Sequence, residues 1–348
     1  MKRNVSQAEY NRKRRKRRNR IRTGLLVVMT LLMFSAGFGY AYIHNLLDST
    51  NKDLISQKND DLGIENPETP VETEGEPYEP EVDPKDKLPY YYHGVTGVTN
   101  IALFGVDAEL GKAGRSDTIM IVTIDKNNNK IKLTSIMRDS YVDIEGKGMD
   151  KITHAYAYGK AQLAVKTLNT NFHLNIKDYA TVNFTTLPKI IDILGGVTIT
   201  VTKAEVPHIP GLTQAGTFNL KGDQALAYAR IRKIDSDFAR SERQRTVMKA
   251  IIDKMLKSPV TSYPGILSKI LPLVTTNLSS SDILGMATSV VTNNIRTIEQ
   301  NRYPEDAYAK GQIINGTWYY VFDRAKAVDA IGKYIYLDEK TEPVQTPN

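Results

Sequence analysis

Residues 100–106 read NIALFGV, residues 118–125 read TIMIVTID and residues 130–136 read KIKLTSI. Each run is short, apolar and rich in β-branched residues, which is typical of buried strands. Three consecutive Asn residues at 127–129 separate the second run from the third and have the composition of a hairpin turn. These runs therefore predict three strands, the last two of which are joined as a hairpin.

Strand-like and helix-like stretches alternate beyond this core. Helices are predicted at His154–Leu168, Leu187–Leu194, Asp223–Tyr228, Phe238–Leu256 and Ser281–Asn293, strands at Tyr179–Phe184 and Val197–Val201, and a strand-and-helix tail at Gln312–Tyr336. Strands interleaved with helices on this scale predict an α/β domain in which helices cover a sheet. We place this domain at residues 91–340, with a short C-terminal tail at 341–348.

The N-terminal part of the chain has the pattern of a membrane anchor. Residues 1–22 carry eleven Lys or Arg and one acid, and residues 23–43 contain no charged side chain. An apolar run of 21 residues is long enough to cross a bilayer, and a basic flank favours the cytoplasmic side. We expect a single transmembrane helix at 23–43 with residues 1–22 in the cytoplasm; a cleaved signal peptide is the alternative.

Residues 44–90 are predicted to form an acidic, Pro-rich extracytoplasmic linker. The part from 48 to 90 contains six Pro, thirteen acids and four Lys, for a net charge of −9. Such a composition favours an extended, self-repelling chain. The net charges of the basic tail and of the linker nearly cancel, so that +6 of the total charge of +7 belongs to the rest of the chain.

Several chemistries are excluded or disfavoured by the residues present. The chain has no Cys, which excludes thiolate metal sites, iron–sulfur clusters and cysteine nucleophiles. It has five His without metal-ligand spacing, and it contains no nucleophile elbow, P-loop or dinucleotide-binding glycine motif. Histidine-based nucleophilic catalysis and nucleotide binding are therefore disfavoured.

Arginines stand out instead. Arg230 and Arg232 lie two residues apart, on one side if the segment is extended, and Arg138 follows the strand that ends at Ile136. One face of a predicted helix carries Arg240, Arg243 and Gln244. Guanidinium groups fit phosphate oxygens, although a solvated, salt-bridged surface is the common alternative.

Two aspartates accompany these arginines at strand ends. Asp107 ends the first strand and Asp117 precedes the second. Carboxylates placed in this way can meet at one rim of a sheet and hold a hard divalent cation together with phosphate oxygens. Turn or capping roles are the structural alternative for each of them.

Six ordered segments resemble the LytR-CpsA-Psr (LCP) family. They are NIALFGVD, GRSDTIMIVTID, TSIMRDSYV, KITHAYAYG, DYATVNFTTLPKIIDILGGV and AYARIRKIDSDFARSERQR, and the resemblance that they carry covers most of residues 98–256. The resemblance implies an α/β fold with a mixed central sheet, helices on both faces and an apolar tunnel for a lipid. It also implies a membrane-anchored phosphotransferase of a Gram-positive bacterium, with its catalytic domain outside the membrane.

The family's activity implies a substrate, a cofactor and an acceptor. The enzyme would move an anionic glycopolymer, of the teichoic acid or capsular polysaccharide type, from a polyprenyl-pyrophosphate carrier to a peptidoglycan sugar hydroxyl. Mg²⁺ or Mn²⁺ would be bound, and no nucleic acid is expected as a partner. Carried over by position, the metal-associated acids are Asp107 and Asp117, the catalytic arginines are Arg138 and Arg240, and the pyrophosphate-binding residues are Arg138, Arg230, Arg232, Arg240, Arg243 and Gln244.

Three other functions stay open from the sequence. A polyprenyl-pyrophosphate phosphatase would need the same cation clamp, with water in place of the sugar. A non-catalytic protein that binds lipid or wall glycan would keep the fold without turnover. A membrane-tethered regulator would contact nucleic acid through its basic tail alone.

Overall fold

The computed structural model describes residues 51–67, 80–109, 112, 114–232, 234 and 237–340. The strands are β1 (Asn51–Lys52), β2 (Glu81–Val82), β3 (Pro89–Tyr90), β4 (Val98–Val106), β5 (Ser116–Asp125), β6 (Lys130–Ile136), β7 (Tyr141–Ile144), β8 (Gly148–Lys151), β9 (Asp178–Asn183), β10 (Val197–Val201), β11 (Gly216–Leu220), β12 (Thr275–Thr276), β13 (Thr297–Tyr303), β14 (Ala309–Ile314) and β15 (Thr317–Phe322). The α-helices are α1 (Asn59–Leu62), α2 (Thr153–Phe172), α3 (Thr186–Ile193), α4 (Gly222–Ala229), α5 (Asp237–Lys257), α6 (Tyr263–Ile270), α7 (Ser280–Thr292) and α8 (Arg324–Gly332).

Seven strands form the central sheet in the order β1-β12-β9-β4-β5-β6-β13. β4, β5 and β6 pair antiparallel as a meander, whereas β9 pairs parallel to β4 and β13 pairs parallel to β6. The prediction of a mixed central sheet is therefore confirmed. The edge strand β13 was not predicted, because its sequence, TIEQNRY, is mostly polar.

Helices cover both faces of this sheet, and the alternation along β5 shows how. Ile119 and Ile121 face a core that contains α2 and α8, with Leu168 and Ile331 among its buried residues. Met120 faces the opposite side, where side chains of α5 and α7 pack. Because successive strand residues point to opposite faces, one strand contributes to two hydrophobic cores.

A smaller hairpin, β10–β11, lies against the helices that carry the arginines. Its apolar residues pack with α3, α4 and α5, and Val197, Leu220 and Val247 are buried there. Gly222 begins α4 where an added Cβ would lie 2.3 Å from the carbonyl oxygen of Pro188, so α3 and α4 make backbone contact. This packing fixes the end of α4, where Arg230 follows.

The N-terminal segment differs from the prediction. Residues 51–67 and 80–90 were expected to be an extended linker, yet Leu62 is 0% exposed and Ile64 and Tyr90 are buried in the core beside α2. β1 pairs with β12 at the edge of the sheet. The prediction was based on the overall composition of the segment, which is acidic and rich in Pro. A few apolar residues nevertheless stabilise the segment by burial.

The remaining predictions about the N-terminus lie outside the described residues. These are the basic tail at 1–22 and the transmembrane helix at 23–43, and the tail at 341–348 lies outside them too. Within the part of the chain that the structure describes, no helix combines the length and the apolar character needed to span a bilayer.

Candidate active site

The two predicted aspartates meet at one rim of the sheet. β4 and β5 are antiparallel, so the end of β4 at Val106 lies opposite the start of β5 at Ser116. The backbone N–H of Asp107 donates to the carbonyl oxygen of Arg115 at 3.1 Å. A register shift at Val106 marks this end of the pair. Asp107 and Asp117 consequently border the same pocket.

Arg138 reaches this rim from the next strand. It follows β6, and its Nη1 donates to Oδ1 of Asp117 at 3.0 Å. Its Nε donates to Oδ2 of Asp139 at 3.2 Å, while Nζ of Lys151 lies 2.8 Å from Oδ1 of Asp139. Two carboxylates thus hold the guanidinium in one orientation, as a preorganised anion-binding group requires.

The other cations come from the helices over the sheet. Arg230 caps the C-terminus of α4, and its guanidinium lies 4.5 Å from the ring centroid of Phe184, a cation–π contact. Arg240 and Gln244 lie one turn apart on α5, as predicted, and border the same cavity as Arg232. Arg230 and Arg232 are exposed, and within the described residues neither makes a salt bridge.

These side chains line one cavity of about 450 Å³. Its lining contains five arginines and two aspartates, an excess of three positive charges. The lining residues are Asp107, Arg115, Asp117, Arg138, Phe184, Ala229, Arg230, Arg232, Arg240 and Gln244. We call this set the arginine pocket. Its charge and its guanidinium geometry suit a ligand with two adjacent phosphate groups.

An apolar cavity of about 100 Å³ adjoins the arginine pocket. The two share four lining residues, Phe184, Ala229, Arg230 and Gln244. The apolar cavity runs between the sheet and α4 and α5, and its walls are mostly hydrocarbon side chains, including Leu103, Phe104, Met120, Leu187, Leu226, Val247 and Met248. The pair of cavities therefore suits an amphipathic molecule with an anionic head and an apolar tail.

Arg243 is placed differently from the prediction. It is 4% exposed, and its Nε donates to Oε1 of Glu205 at 2.9 Å while its Nη1 donates to the carbonyl oxygen of Ile231 at 3.1 Å. It is not among the residues that line the arginine pocket. Its place one residue before Gln244 turns it toward the β10–β11 side of α5, so it ties the helix to that hairpin.

Arg245, also on α5, is buried and is not among the residues that line the arginine pocket. Its Nη1 donates to the hydroxyl oxygen of Ser241 at 3.2 Å. Burial lowers the pKa of Arg245, and neighbouring Arg302 acts in the same direction. The helix α5 therefore places three arginines in different surroundings within six residues.

Two pocket residues were missed by sequence reasoning. Arg115 lies two residues before Asp117, and this spacing puts both on one side of an extended segment. Phe184 supports Arg230 across the boundary between the two cavities. Arg115 could have been predicted from its spacing to Asp117. Phe184 could not, because its contact with Arg230 joins residues 46 positions apart, which no local pattern reveals.

The arrangement also fits a divalent cation. Mg²⁺ prefers oxygen ligands and is commonly held by one or two carboxylates together with substrate phosphates and water. Asp107 and Asp117 provide two carboxylates on the wall of a cavity that suits phosphates. These two carboxylates are ligands of the type that a hard divalent cation takes.

Comparison with known proteins agrees with this geometry. The family model described as the LytR_cpsA_psr family matches residues 64–333. The polyisoprenyl-teichoic acid–peptidoglycan teichoic acid transferase TagU of Bacillus mycoides is 36% identical over 238 residues, 67% of this chain and 77% of the relative. The enzyme of the same name from Oceanobacillus iheyensis is 37% identical over 233 residues, 64% of this chain and 70% of the relative.

Solved structures give the same result. TagT bound to LI-WTA superposes with a TM-score of 0.60 at 30% identity, over 70% of this chain and 91% of that one. The LytR-CPS2A-psr family protein YwtF (TagT) with bound octaprenyl pyrophosphate lipid superposes with a TM-score of 0.56 at 28% identity, over 70% and 90%. The fold, the site and the relatives agree with the resemblance, and this chain belongs to the LytR-CpsA-Psr family.

Proposed function

We propose that the chain is a phosphotransferase that moves an anionic glycopolymer from a polyprenyl-pyrophosphate carrier to a sugar hydroxyl of peptidoglycan. The observation that carries the proposal is the junction of the arginine pocket with an apolar cavity through four shared residues. A lipid pyrophosphate has this division between an anionic head and a hydrocarbon tail. The names of the TagU relatives and the octaprenyl pyrophosphate bound to TagT support the same substrate class.

The arginines provide the binding energy for the head group. A pyrophosphate diester brings two negative charges, which the five guanidinium groups of the arginine pocket exceed even after two aspartates are counted. Arg138, Arg230, Arg232 and Arg240 contact the phosphate oxygens, and Gln244 donates through its amide. Charge that develops on the bridging oxygen during transfer is stabilised by groups already in place.

The reaction is a substitution at the phosphorus that carries the glycopolymer. The oxygen of the acceptor hydroxyl forms a bond to this phosphorus, the bond from phosphorus to the bridging oxygen breaks, and polyprenyl phosphate leaves. Asp107 accepts the hydroxyl proton, since it is exposed and no basic side chain of the described residues lies within salt-bridge distance of it. Asp117 instead orients Arg138.

Mg²⁺ or Mn²⁺ belongs to this proposal as the cofactor. Asp107 and Asp117 would hold it, and it would supply additional positive charge to the pyrophosphate oxygens. We also propose that the protein is a single-pass membrane protein with a cytoplasmic N-terminus and an extracytoplasmic catalytic domain. The charge pattern of residues 1–43 supports this topology.

Transfer of radiolabelled lipid-linked polymer to peptidoglycan tests the function. Arg138→Ala and Arg240→Ala should each lower the transfer rate by about a hundredfold or more, since each removes charge-assisted hydrogen bonds to the transition state. Arg296→Ala is the control, because Arg296 is an exposed arginine that contacts the carbonyl oxygen of Leu256 instead of the pocket. Wild-type rates in both pocket variants would contradict the proposed clamp.

Metal removal and product analysis separate the alternatives. EDTA should abolish transfer and added Mg²⁺ should restore it; activity that persists in EDTA would exclude the metal. Release of free glycopolymer phosphate without attachment to peptidoglycan would identify a phosphatase. Co-purified polyprenyl lipid without turnover would identify a binding protein.

A further inference from the structure

The β14–β15 hairpin exposes an apolar pair that the proposed reaction does not use. Trp318, the only tryptophan of the chain, is 44% exposed, and Ile313 is 75% exposed. The two residues are direct partners in the antiparallel register, so their side chains lie on the same face of the hairpin. Large exposed apolar side chains that adjoin one another are typical of binding surfaces.

The indole of Trp318 is held in a fixed position. An added Cβ at Gly311 would lie 2.7 Å from its Nε1 and 3.0 Å from two ring carbons, so the ring rests against a strand position without a side chain. The indole is also nearly parallel to the Tyr320 ring, at 17° and 6.4 Å between centroids. Such support leaves a preorganised aromatic surface and lowers the entropy cost of binding.

The hairpin is attached directly to the segment that carries Arg138. The backbone N–H of Tyr320 donates to the carbonyl oxygen of Asp139 at 2.8 Å, and Ser140 forms a β-bridge with Tyr320. The carboxylate of Asp139 in turn accepts from the Arg138 guanidinium. The aromatic surface and this catalytic arginine are therefore positioned by the same backbone contact.

A second contact leads from the hairpin to α5. The ring of Phe238 lies 5.5 Å from that of Tyr320, and Phe238 precedes Ser241 by one helical turn. Ser241 borders a small cavity together with Arg138 and Arg240. A row of three aromatic rings thus extends from the exposed indole to Phe238 on α5, the helix that also carries Arg240.

We propose that the Trp318–Ile313 face of the hairpin binds a sugar ring of the acceptor glycan. One face of a pyranose ring is formed by C–H groups, which pack against a flat aromatic surface while the hydroxyls stay in water. The inference rests on the proposed function for the identity of the acceptor. The proposed function does not say where the acceptor glycan binds. The inference places the glycan on this face of the hairpin while its hydroxyl enters the arginine pocket.

The turn of the hairpin favours a glycan over a lipid surface. Its tip is Asn315-Gly316, with φ values of +49° and +79°, and Thr317 follows. Segments that lie on a bilayer surface typically combine apolar residues with Lys or Arg. Here the tip is polar and uncharged, and the apolar pair lies on the side of the strands.

The single tryptophan allows a direct binding test on the full chain. Soluble glycan oligosaccharides, released from uncrosslinked peptidoglycan by a muramidase, should change the fluorescence of Trp318 in a saturable manner. In the transfer assay, Trp318→Ala should raise the acceptor KM about tenfold, while kcat and the KM for the lipid-linked donor stay within twofold. Trp318→Tyr should recover most of the loss because it restores a flat ring.

Val260→Ala is the matched control, since Val260 is an exposed apolar residue, 46% accessible, in a different part of the fold. A wild-type protein that shows the fluorescence response but no transfer would support this surface and contradict the proposed function. Transfer by Trp318→Ala with an unchanged acceptor KM would overturn the surface and leave the function intact. Fluorescence that responds to phosphatidylglycerol vesicles but not to the oligosaccharides would also overturn it.

Discussion

Strand β5 carries one aspartate at each end, and the two aspartates lie in contrasting surroundings. At its start, Asp117 meets Arg138 on the wall of a cavity where arginines outnumber carboxylates. At its end, Asp125 lies 2.8 Å from Nζ of Lys132, and both side chains are 0% exposed. Lys132 also contacts Asp338 at 3.1 Å and donates to the carbonyl oxygen of Tyr334 at 2.8 Å.

The two ends differ in burial and in their balance of charge. At the buried end, burial by itself would raise the pKa of Asp125, but hydrogen bonds from Lys132 and Asn128 hold that pKa below its ordinary value. At the open end, five arginines and two aspartates line the arginine pocket. A buried and fully paired cation therefore serves the fold, whereas a pocket lined by more guanidinium groups than carboxylates suits an anionic ligand.

The largest effect is expected when the buried pair is broken. Lys132→Met leaves Asp125 without its cation in a site that excludes water, and should lower the free energy of unfolding by about 3–5 kcal/mol. Urea denaturation measures this loss. Lys126→Met, at an exposed position after the same strand, should change it by less than about 0.5 kcal/mol. A loss below about 1 kcal/mol for Lys132→Met would remove the contrast.

Variants of Arg243 test whether this arginine stabilises the fold, as its burial indicates, or binds pyrophosphate, as its place in the family's motif implies. Arg243→Met removes the partner of Glu205, but Glu205 keeps its hydrogen bonds from the N–H and hydroxyl of Thr202. We expect a stability loss of about 2–3 kcal/mol, with the transfer rate of the folded protein within twofold of wild type. The Arg243→Met, Glu205→Gln double variant should recover part of that stability. Full stability with lost transfer would place Arg243 in the clamp.

Arg230 should show the opposite behaviour. Arg230→Ala removes an exposed guanidinium without a described acidic partner, so the free energy of unfolding should change by less than about 0.5 kcal/mol. The transfer rate should fall about 30-fold, the equivalent of about 2 kcal/mol in transition-state binding. Arg296→Ala again serves as the control. If Arg230→Ala lowered the free energy of unfolding by more than it lowered transition-state binding, the arginine pocket would serve stability as the buried pair does, and the comparison would fail.

The smallest effect concerns a buried cluster at the C-terminus of α2. Nε2 of His173 lies 3.1 Å from Oδ2 of Asp86 and 3.0 Å from Nη2 of Arg324, and Tyr90 stacks on its ring. Burial lowers the pKa of His173 below its ordinary value of 6.5, although Asp86 opposes this shift. The pKa values of Asp83 and Asp86 are also held low, against the effect of burial, by hydrogen bonds from Tyr90 and Arg324.

The sign of the pH effect follows from the histidine. As the pH falls through 6.5, the unfolded chain binds the proton before the folded chain does, so the stability decreases. The loss cannot exceed about 1.4 kcal/mol per pH unit for one group. His173→Asn should flatten this slope between pH 7 and pH 5, and Asn tolerates the φ of +49° found there. Exposed His208→Asn should leave the slope unchanged; equal slopes in all three proteins would exclude the cluster.

Local sequence patterns were sufficient for the central strands and for most of the pocket. The runs that form β4, β5 and β6 are apolar and end next to Asp107, Asp117 and Arg138, so strand ends and charges could be predicted together. Arg240 and Gln244 followed from helical spacing. The resemblance to the family supplied the lipid and the metal, which spacing alone left open.

The errors share a physical cause, since each depends on a distant partner. Arg243 looks like part of the arginine motif until Glu205, 38 residues away, is seen beside it. Phe184 acquires its role from Arg230. Leu62 was assigned to the linker because its neighbours are acidic, although its side chain fits a site beside α2. Burial and pairing are properties of the folded chain, and a local window does not contain them.

The pairing of β1 with β12 has a consequence for how the domain stays dispersed in water. β1 is only two residues long, but it occupies the outer edge of the seven-stranded sheet. A fragment that starts at residue 91 would leave the edge of β12 open and uncover the surface on which Leu62 and Ile64 pack. Open strand edges and apolar surface both promote aggregation. Residues 51–67, which were predicted to belong to the linker, thus supply part of the protection of the domain against self-association.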